Sequence, residues 1–405
     1  MRTNNVNINH LTNLSTQGKL YLGYGSNLNS ADLKSRSVSL ELKPLTKTIL
    51  PDTELVFDKS SNTRKGGVLS LKTTKGAAIQ AMLFEINDWP EMDKKEGGYT
   101  RIPVVCQITN DTQVHEVIAW TYATTASVNF QEPHPEYMKV LKDGYTDHGI
   151  DYENVIKASE QKFAGYLIGT NHIFTYGTLC RGESREAVMR QGNPDQVGMA
   201  DLFSHCLVEC AGGAYPGIIS DSAKGDKPPY LNGDLWFYTN NRRYCELIEQ
   251  LDQIEGHRSL SIRETVRLVQ NEIKGGVLPN EACKKTQELL MKYQFQSLYR
   301  RYFFHIGFDA KKHFAWLYHF NQPIESFPVI ESGNWRIHIG RWQSCLETIA
   351  NNFISHFGDV QSASDQLTTH SFSTSFRSAE DLVSKLKTKE IDENNLSKLL
   401  RSSQG

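Results

Sequence analysis

The 405-residue chain has no apolar run near the roughly 20 residues that a bilayer-spanning helix needs, so no membrane partner is expected. It has little net charge of either sign: 44 Lys and Arg stand against 46 Asp and Glu, a formal charge of -2. That balance leaves no electrostatic footprint for nucleic acid or an anionic surface. Its 7 cysteines are odd in number and irregular in spacing. They make no disulfide framework and suit a reducing, cytoplasmic setting. Cys206 and Cys210 are a close pair without a second ligand pair, so no metal is expected. There is no Walker-type phosphate loop and no dinucleotide glycine fingerprint, so no cofactor is expected. Residues 1–19 are polar and Asn-rich, lack a signal-peptide core, and read as a disordered leader. What remains, 39% hydrophobic and 10% aromatic, is ordinary for a globular protein of two or three domains.

One motif occurs twice. Tyr21-Leu-Gly-Tyr-Gly-Ser-Asn-Leu28 and Phe174-Thr-Tyr-Gly-Thr-Leu179 each run a short apolar strand into Tyr-Gly-(Ser/Thr). Each is followed by a Glu-Gly pair after an acidic helical stretch: Glu96-Gly97 and Glu255-Gly256. Tyr24 to Glu96 is about 72 positions and Tyr176 to Glu255 about 79. The repeated order points to a duplicated domain with a duplicated site.

Strand signals dominate both halves. In the first, Glu54–Phe57, Gly67–Leu71, Ala77–Ile86, Ile102–Ile108 and Val114–Ala123 read as strands, and Glu136–Leu141 and Tyr152–Leu167 as helical. In the second, Ile173–Tyr176, Ser204–Glu209, Gly233–Tyr238, Ile262–Val269 and Phe314–Tyr318 read as strands, and Asn240–Ile254 as a helix. Arg300-Arg-Tyr-Phe-Phe304 reads as a strand edge with solvated arginines. His305, His313 and His319 read as packed or surface histidines. The expected fold is α+β, with two tandem small mixed β-barrels and flanking helices. The expected domains are 20–168 and 169–340, the second interrupted by a helical insertion at about 271–301. Residues 341–405 form a helical tail with a Ser/Thr-rich linker at Asp359–Phe376, able to pack on itself, on the body or on a partner.

The first half resembles the γ-glutamylcyclotransferase family. The resemblance rests on Tyr24-Gly-Ser-Asn-Leu28, a Gly-Gly-Val strand, Asp93-Lys-Lys-Glu96-Gly97, Trp120-Thr-Tyr122 and Pro133-His-Pro-Glu-Tyr137, in that order. The second half is similar to the γ-glutamylamine cyclotransferase branch. It is carried by Tyr176-Gly-Thr-Leu179, Tyr215-Pro-Gly-Ile218, Gly233-Asp-Leu-Trp236, Leu251-Asp-Gln-Ile-Glu255-Gly256 and Glu331-Ser-Gly-Asn-Trp335.

The resemblance implies cleavage of a γ-glutamyl amide by the substrate's own α-amine, giving 5-oxoproline and a free amine. It implies Glu96, and Glu255 in the second half, as general acid and base, with a pKa raised by an apolar pocket. It implies that Tyr21, Gly23, Tyr24, Gly25, Ser26 and Asn27 hold the α-carboxylate and steady the oxyanion through backbone N–H groups. Tyr24, Tyr99, Tyr122 and Tyr137 would line that pocket; Tyr176, Gly177, Thr178 and Leu179 would form the second loop. The family's Tyr-x-Arg after Glu-Gly stands as Tyr99-Thr-Arg101. In the second half the stretch is His257-Arg258-Ser-Leu-Ser-Ile-Arg263, without a tyrosine, so that site either takes another substrate or is a degenerate copy. Two readings stand beside a small-molecule cyclotransferase: an enzyme for a protein-linked γ-glutamyl isopeptide, and a non-catalytic γ-glutamyl-binding module.

Overall fold

The structure, a computed structural model, describes residues 7–37, 39–109, 113–125, 129–165, 171–203, 205–220, 230–308, 311–321, 328–340, 342–369, 375–388, 391 and 396. The chain divides into two compact units: Met1–Thr170 with Ile248–Phe303, and Asn171–Leu247 with Phe304–Gly405.

In the first unit, α1 (Ile8–Thr16) leads to β1 (Leu20–Gly23) and α2 (Ser30–Arg36). Then come β2 (Lys43–Ser61), β3 (Gly66–Glu85), α3 (Trp89–Lys95), β4 (Thr100–Thr109), β5 (Val114–Ala123), α4 (Pro135–Asp147) and α5 (Glu153–Ser159). The strands close into a barrel in the order β1-β3-β2-β4-β5. Register shifts at Pro44/Thr46, Pro51/Thr53 and Val56/Lys59 interrupt the long β2–β3 hairpin. Such bulges bend and twist a ribbon enough to close it. β1 is buried along its whole length, antiparallel to β3 and parallel to β5 at Tyr21↔Trp120. The leader differs from expectation: Asn7 caps α1, and Leu11 and Leu14 are buried in the barrel's core cluster. The Asn-rich composition conceals two apolar residues at helical spacing. Residues 1–6, residues 110–112 between the expected strands Ile102–Ile108 and Val114–Ala123, and the expected boundary at 168/169 lie outside the described residues.

The second unit repeats the plan with β6 (His172–Thr175), α6 (Glu186–Gln191), β7 (Gln196–Phe203), β8 (His205–Cys210), β9 (Tyr215–Ser220), β10 (Tyr230–Phe237) and α7 (Asn241–Ile254). After α8 (Ile262–Lys274) and α9 (Pro279–Gln296) it closes through β11 (Tyr299–Phe308) and β12 (Lys311–Phe320). Its barrel order is β10-β6-β12-β11-β7, with β8 and β9 a separate two-stranded sheet. β6 stands where β1 stood: antiparallel to β10, parallel to β12, with Ile173↔Trp316 answering Tyr21↔Trp120. The fold is α+β, with two closed five-stranded mixed barrels. His305 packs on Phe314 with ring centroids 3.9 Å apart. No helix among the described residues is long and apolar enough to cross a membrane.

Two expectations fail between residues 248 and 303. Ile262–Val269 is not a strand but the start of α8. Ser261 and Glu264 form a complete capping box, and Ile262, Val266 and Val269 recur at helical spacing. Val266, Val269, Ala282 and Cys283 then join the core cluster of the first barrel, so this stretch belongs to the first unit. Arg300 and Arg301 are not solvated. They are 3% and 1% exposed. Arg300 meets Glu116 at 2.7 Å; Arg301 meets Asp52 at 2.7 Å and Asp252 at 2.8 Å, with Lys75 3.2 Å from Asp52.

His257 sits in this charge network. Its Nδ1 accepts the Arg301 backbone N–H at 3.3 Å, as a neutral ring does. Burial pushes its pKa from 6.5 down to about 3, against the pull of Asp252. The unfolded chain therefore binds a proton that the folded chain refuses between those two values. Stability should fall as pH drops through this window, by up to about 1.4 kcal/mol per pH unit. Urea midpoints between pH 7 and 4.5 should show the loss, and His257→Gln should flatten it. A flat wild-type profile rejects the assignment.

In the tail, α10 (Trp335–His338) precedes α11 (Trp342–Phe357), α12 (Val360–Thr369) and α13 (Ala379–Lys387). The expected linker thus contains a helix, capped by Asp359, whose carboxylate accepts from Ser362 N at 2.7 Å. Leu346, Phe353, Leu367, Leu382 and Leu386 of the last three helices meet in one small core. Residues 370–374 and 397–405 lie outside the described residues.

Candidate active site

β1 delivers Tyr21 and then the turn Tyr24-Gly25-Ser26-Asn27. Neither Gly23 nor Gly25 has a positive φ. Gly23 is needed for close approach, since a Cβ there would lie 2.9 Å from the Phe84 ring. Gly25 leaves open space beside the cavity. Ser26 and Asn27 begin a 3-10 turn, whose leading N–H groups have no acceptor within the turn.

α3 delivers the carboxylate. Asp88 caps its start and Pro90 occupies its first turn. The helix stops at Glu96, where Gly97 and Gly98 (φ 84°) turn the chain into β4. Glu96 Oε1 accepts from Asn27 Nδ2 at 2.9 Å and from Lys95 Nζ at 2.8 Å. Asn27 also donates to the Tyr21 hydroxyl at 2.7 Å, and its Oδ1 accepts from Lys95. The expected apolar pocket is absent: the carboxylate lies between an ammonium and an amide.

Four tyrosines complete the walls, each hydroxyl fixed by a neighbour. Tyr24 donates to Tyr122 O at 2.8 Å, and Tyr99 to Leu69 O at 2.9 Å. Tyr137 accepts from Leu69 N at 3.4 Å. Tyr122 donates to Asp93 at 2.6 Å. Burial, reinforced by the Glu96 charge, raises the pKa of Tyr21 far above its ordinary value; burial likewise raises Tyr137 to about 12. These hydroxyls stay protonated at neutral pH. Burial lowers the pKa of Lys95, although Glu96 opposes it.

These groups border one cavity of about 440 Å³. It gathers nine of the residues read from the first half: Tyr21, Tyr24, Gly25, Ser26, Asn27, Glu96, Tyr99, Tyr122 and Tyr137. Gly23, between Tyr21 and Tyr24, does not line the cavity. The cavity also holds four cations that the sequence reading missed: Arg36, Lys59, Arg64 and Lys95. A Lys directly before Glu96 and a basic turn between two strands were the available signals.

The turn is braced from behind by α4. A Cβ at Gly144 would lie 2.7 Å from Asn29 N and 2.9 Å from Leu28 C. Gly144→Ala should therefore displace the turn that carries Asn27, costing about 1–3 kcal/mol of stability. Activity should fall with it, while thermal unfolding reports the packing loss. An unchanged melting temperature would count against this brace.

In the second unit Tyr176 repeats part of the pattern, donating to Tyr318 O at 2.5 Å as Tyr24 does to Tyr122 O. Gly177 faces Pro216, where a Cβ would lie 2.6 Å from Cγ, and Arg185 N donates to Thr178 O at 2.8 Å. Leu179 is buried. Asp234, opposite Thr175, stands where Met82 stands opposite Gly23. It is fully buried and salt-bridged to Arg181 at 2.7 Å and to Arg336. Glu255 follows α7, its backbone oxygen accepting from Tyr299 N at 3.2 Å. Tyr176–Leu179 belong to the second unit and Glu255 to the first.

Comparison with known proteins agrees with this plan. The family model described as Gamma-glutamyl cyclotransferase, AIG2-like matches residues 173–287. Residues 173–287 thus resemble the γ-glutamyl cyclotransferase, AIG2-like family. Two curated relatives, each named Gamma-glutamylcyclotransferase, come from Bos taurus and Homo sapiens. They are 26% identical to this chain over 140 and 149 residues, covering 33% and 35% of it and 73% and 78% of their own lengths. A solved structure titled Gamma-glutamyl cyclotransferase aligns with a TM-score of 0.31 at 25% identity, over 35% of this chain and 85% of its own. The matched segment runs on to residue 287, and so includes α8, which the structure groups with the first barrel.

Proposed function

We propose that the cavity of the first barrel is a γ-glutamylcyclotransferase site with Glu96 as its general acid and base. The observation that carries this reading is the convergence of Glu96, Asn27, the Tyr24–Asn27 turn and four tyrosines on one cavity.

The chemistry follows from the residues. The turn's N–H groups hold the substrate's α-carboxylate, which places the α-ammonium towards Glu96. Glu96 takes one proton, and the free amine attacks the γ-carbonyl carbon within the same molecule. The new C–N bond closes a five-membered ring while the carbonyl π pair moves to oxygen. The oxyanion meets fixed donors. The tetrahedral centre then collapses, the old C–N bond breaks, and its electron pair leaves with the departing nitrogen. That nitrogen gains the proton shed by the attacking amine and the one held by Glu96. The products are 5-oxoproline and an ammonium. Asn27 and Lys95 hold the carboxylate in position throughout. No water enters the bond-breaking step.

The test is 5-oxoproline release by the full chain from a panel of γ-glutamyl amino acids, γ-glutamyl amines and ε-(γ-glutamyl)lysine conjugates. Product from at least one member, insensitive to Glu255→Gln, supports the first barrel as the working site. Product that vanishes in Glu255→Gln but survives in Glu96→Gln moves the reaction away from this cavity. No product from any member rejects the cyclotransferase reading.

A further inference from the structure

We propose that the first barrel's cavity prefers a γ-glutamyl substrate whose leaving amine carries two carboxylates, that is, an acidic amino acid; this rests on the cyclotransferase reading. Among the described residues, four cations border the cavity, Arg36, Lys59, Arg64 and Lys95, and Glu96 is the one carboxylate lining it. Asp32 binds Arg64 at 2.6 Å and also Arg36. Lys95 and Glu96 form a neutral pair at 2.8 Å. Four positive charges less these two carboxylates leave two in excess.

The γ-glutamyl head does not absorb that excess. It is a zwitterion, with one carboxylate and one ammonium, and the ammonium is directed at Glu96. The surplus is left for the leaving group. A plain amine brings no negative charge, a neutral amino acid brings one, and glutamate or aspartate brings two. The charge of the third class matches that of the site.

Placement agrees with the count. Lys59 comes from the end of β2 and Arg64 from the turn that follows it, apart from the Tyr24–Asn27 turn assigned to the head. Lys59 Nζ lies 3.4 Å from the centre of the Tyr99 ring, and the Arg64 guanidinium 5.2 Å from that of Tyr137. Gly98 O, which accepts from Lys59 Nζ at 2.5 Å, and Asp32, which accepts from Arg64 at 2.8 and 2.6 Å, hold the two cations against these rings at the cavity wall. Ser60 and Ser61 at the end of β2 and Thr63 in the turn also line the cavity, offering hydroxyl donors to a carboxylate. Asp58, the neighbouring acid, lines a separate pocket with Lys72 and Phe130. The anchor on the other side is Arg36, whose guanidinium donates to Ser26 Oγ at 3.2 Å within the head-binding turn.

The experiment compares γ-Glu-Glu with γ-Glu-Gln, near-isosteres that differ by one charge, using the full chain. Calorimetry gives affinity and 5-oxoproline release gives kcat/KM, each at low and at high salt. The expected preference for γ-Glu-Glu is about 10-fold in both at low salt, shrinking as salt rises. Lys59→Met should bring the ratio close to one, and Lys59→Arg should keep it, which separates lost charge from lost folding. Equal treatment of the two peptides, or preference for γ-Glu-Gln, overturns the proposal and leaves the cyclotransferase reading intact. Tighter binding of γ-Glu-Glu through Lys59 without any product upholds the subsite and rejects the reaction. Failure of both peptides to bind overturns the proposal, and the cyclotransferase reading falls with it only if no other γ-glutamyl compound of the panel yields 5-oxoproline.

Discussion

Glu96→Gln is expected to lower kcat for 5-oxoproline release by about 1,000-fold, within the range general acid–base groups contribute. The substitution keeps the side chain's length and shape. Its amide oxygen still accepts from Asn27 and Lys95, whose nitrogens lie 2.9 and 2.8 Å from Oε1. What it loses is the capacity to take a proton from the α-ammonium and return one to the leaving nitrogen. The effect should therefore fall on kcat, with KM changed little, because the head-binding turn is untouched. Circular dichroism and melting temperature should stay near wild type. A variant with KM raised and kcat intact would mean that Glu96 binds substrate without moving protons. A variant with full activity would remove Glu96 from the mechanism. Lys95→Gln should separate position from charge: its effect should be smaller, because Asn27 alone still orients the carboxylate.

The barrel plan and the residues that meet in the first candidate site were legible because their signals are local. A strand running into Tyr-Gly-Ser-Asn, and a helix stopping at Glu96-Gly97, can each be read within ten residues. The repeat of that order in the second half announced the second barrel. The cations were not legible. Arg36, Lys59 and Arg64 look like any surface charge in a string, and only the fold brings the end of α2 and the tip of the β2–β3 hairpin to the cavity that holds Glu96. Expecting an apolar surrounding for Glu96 failed for the same reason, because Asn27 comes from β1's turn, 69 positions away. Residues 248–303 misled in another way. Ile262, Val266 and Leu268 alternate as in a short strand, while Ile262, Val266 and Val269 share a helix face, and the Ser261–Glu264 capping box decided the matter. The paired arginines at 300 and 301 gave no sign of burial, since their partners Glu116 and Asp52 lie about 180 to 250 positions earlier.

Arg301→Met is expected to be the most destabilising single change in the first unit. The guanidinium is 1% exposed and joins Asp52 of the β2–β3 hairpin to Asp252 of α7, meeting Asp52 at 2.7 Å and Asp252 at 2.8 Å. Asp52 is already fixed: it sits at φ 54°, and its Oδ1 accepts from Gly76 N at 2.9 Å. It has no easy route to solvent. Removing the arginine leaves two buried carboxylates facing each other with Lys75 as their remaining cation, 3.2 and 3.4 Å away. Breaking a buried pair in this way costs about 3–5 kcal/mol. The loss would be read from urea unfolding near pH 7. It should grow less severe at lower pH, where one carboxylate can protonate. Replacing the whole cluster is a different matter. Asp52→Asn with Asp252→Asn in the Arg301→Met background removes the orphaned charges and should recover at least half of the loss. Recovery would place the cost in the uncompensated carboxylates. If the triple variant is no more stable than Arg301→Met, the cost lies instead in lost packing around the arginine's stem, beside the neighbouring β4 contact in which Gln107 donates to Arg301 O at 2.8 Å. The two outcomes separate charge from shape as the force that holds residues 248–303 to the barrel bearing Glu96.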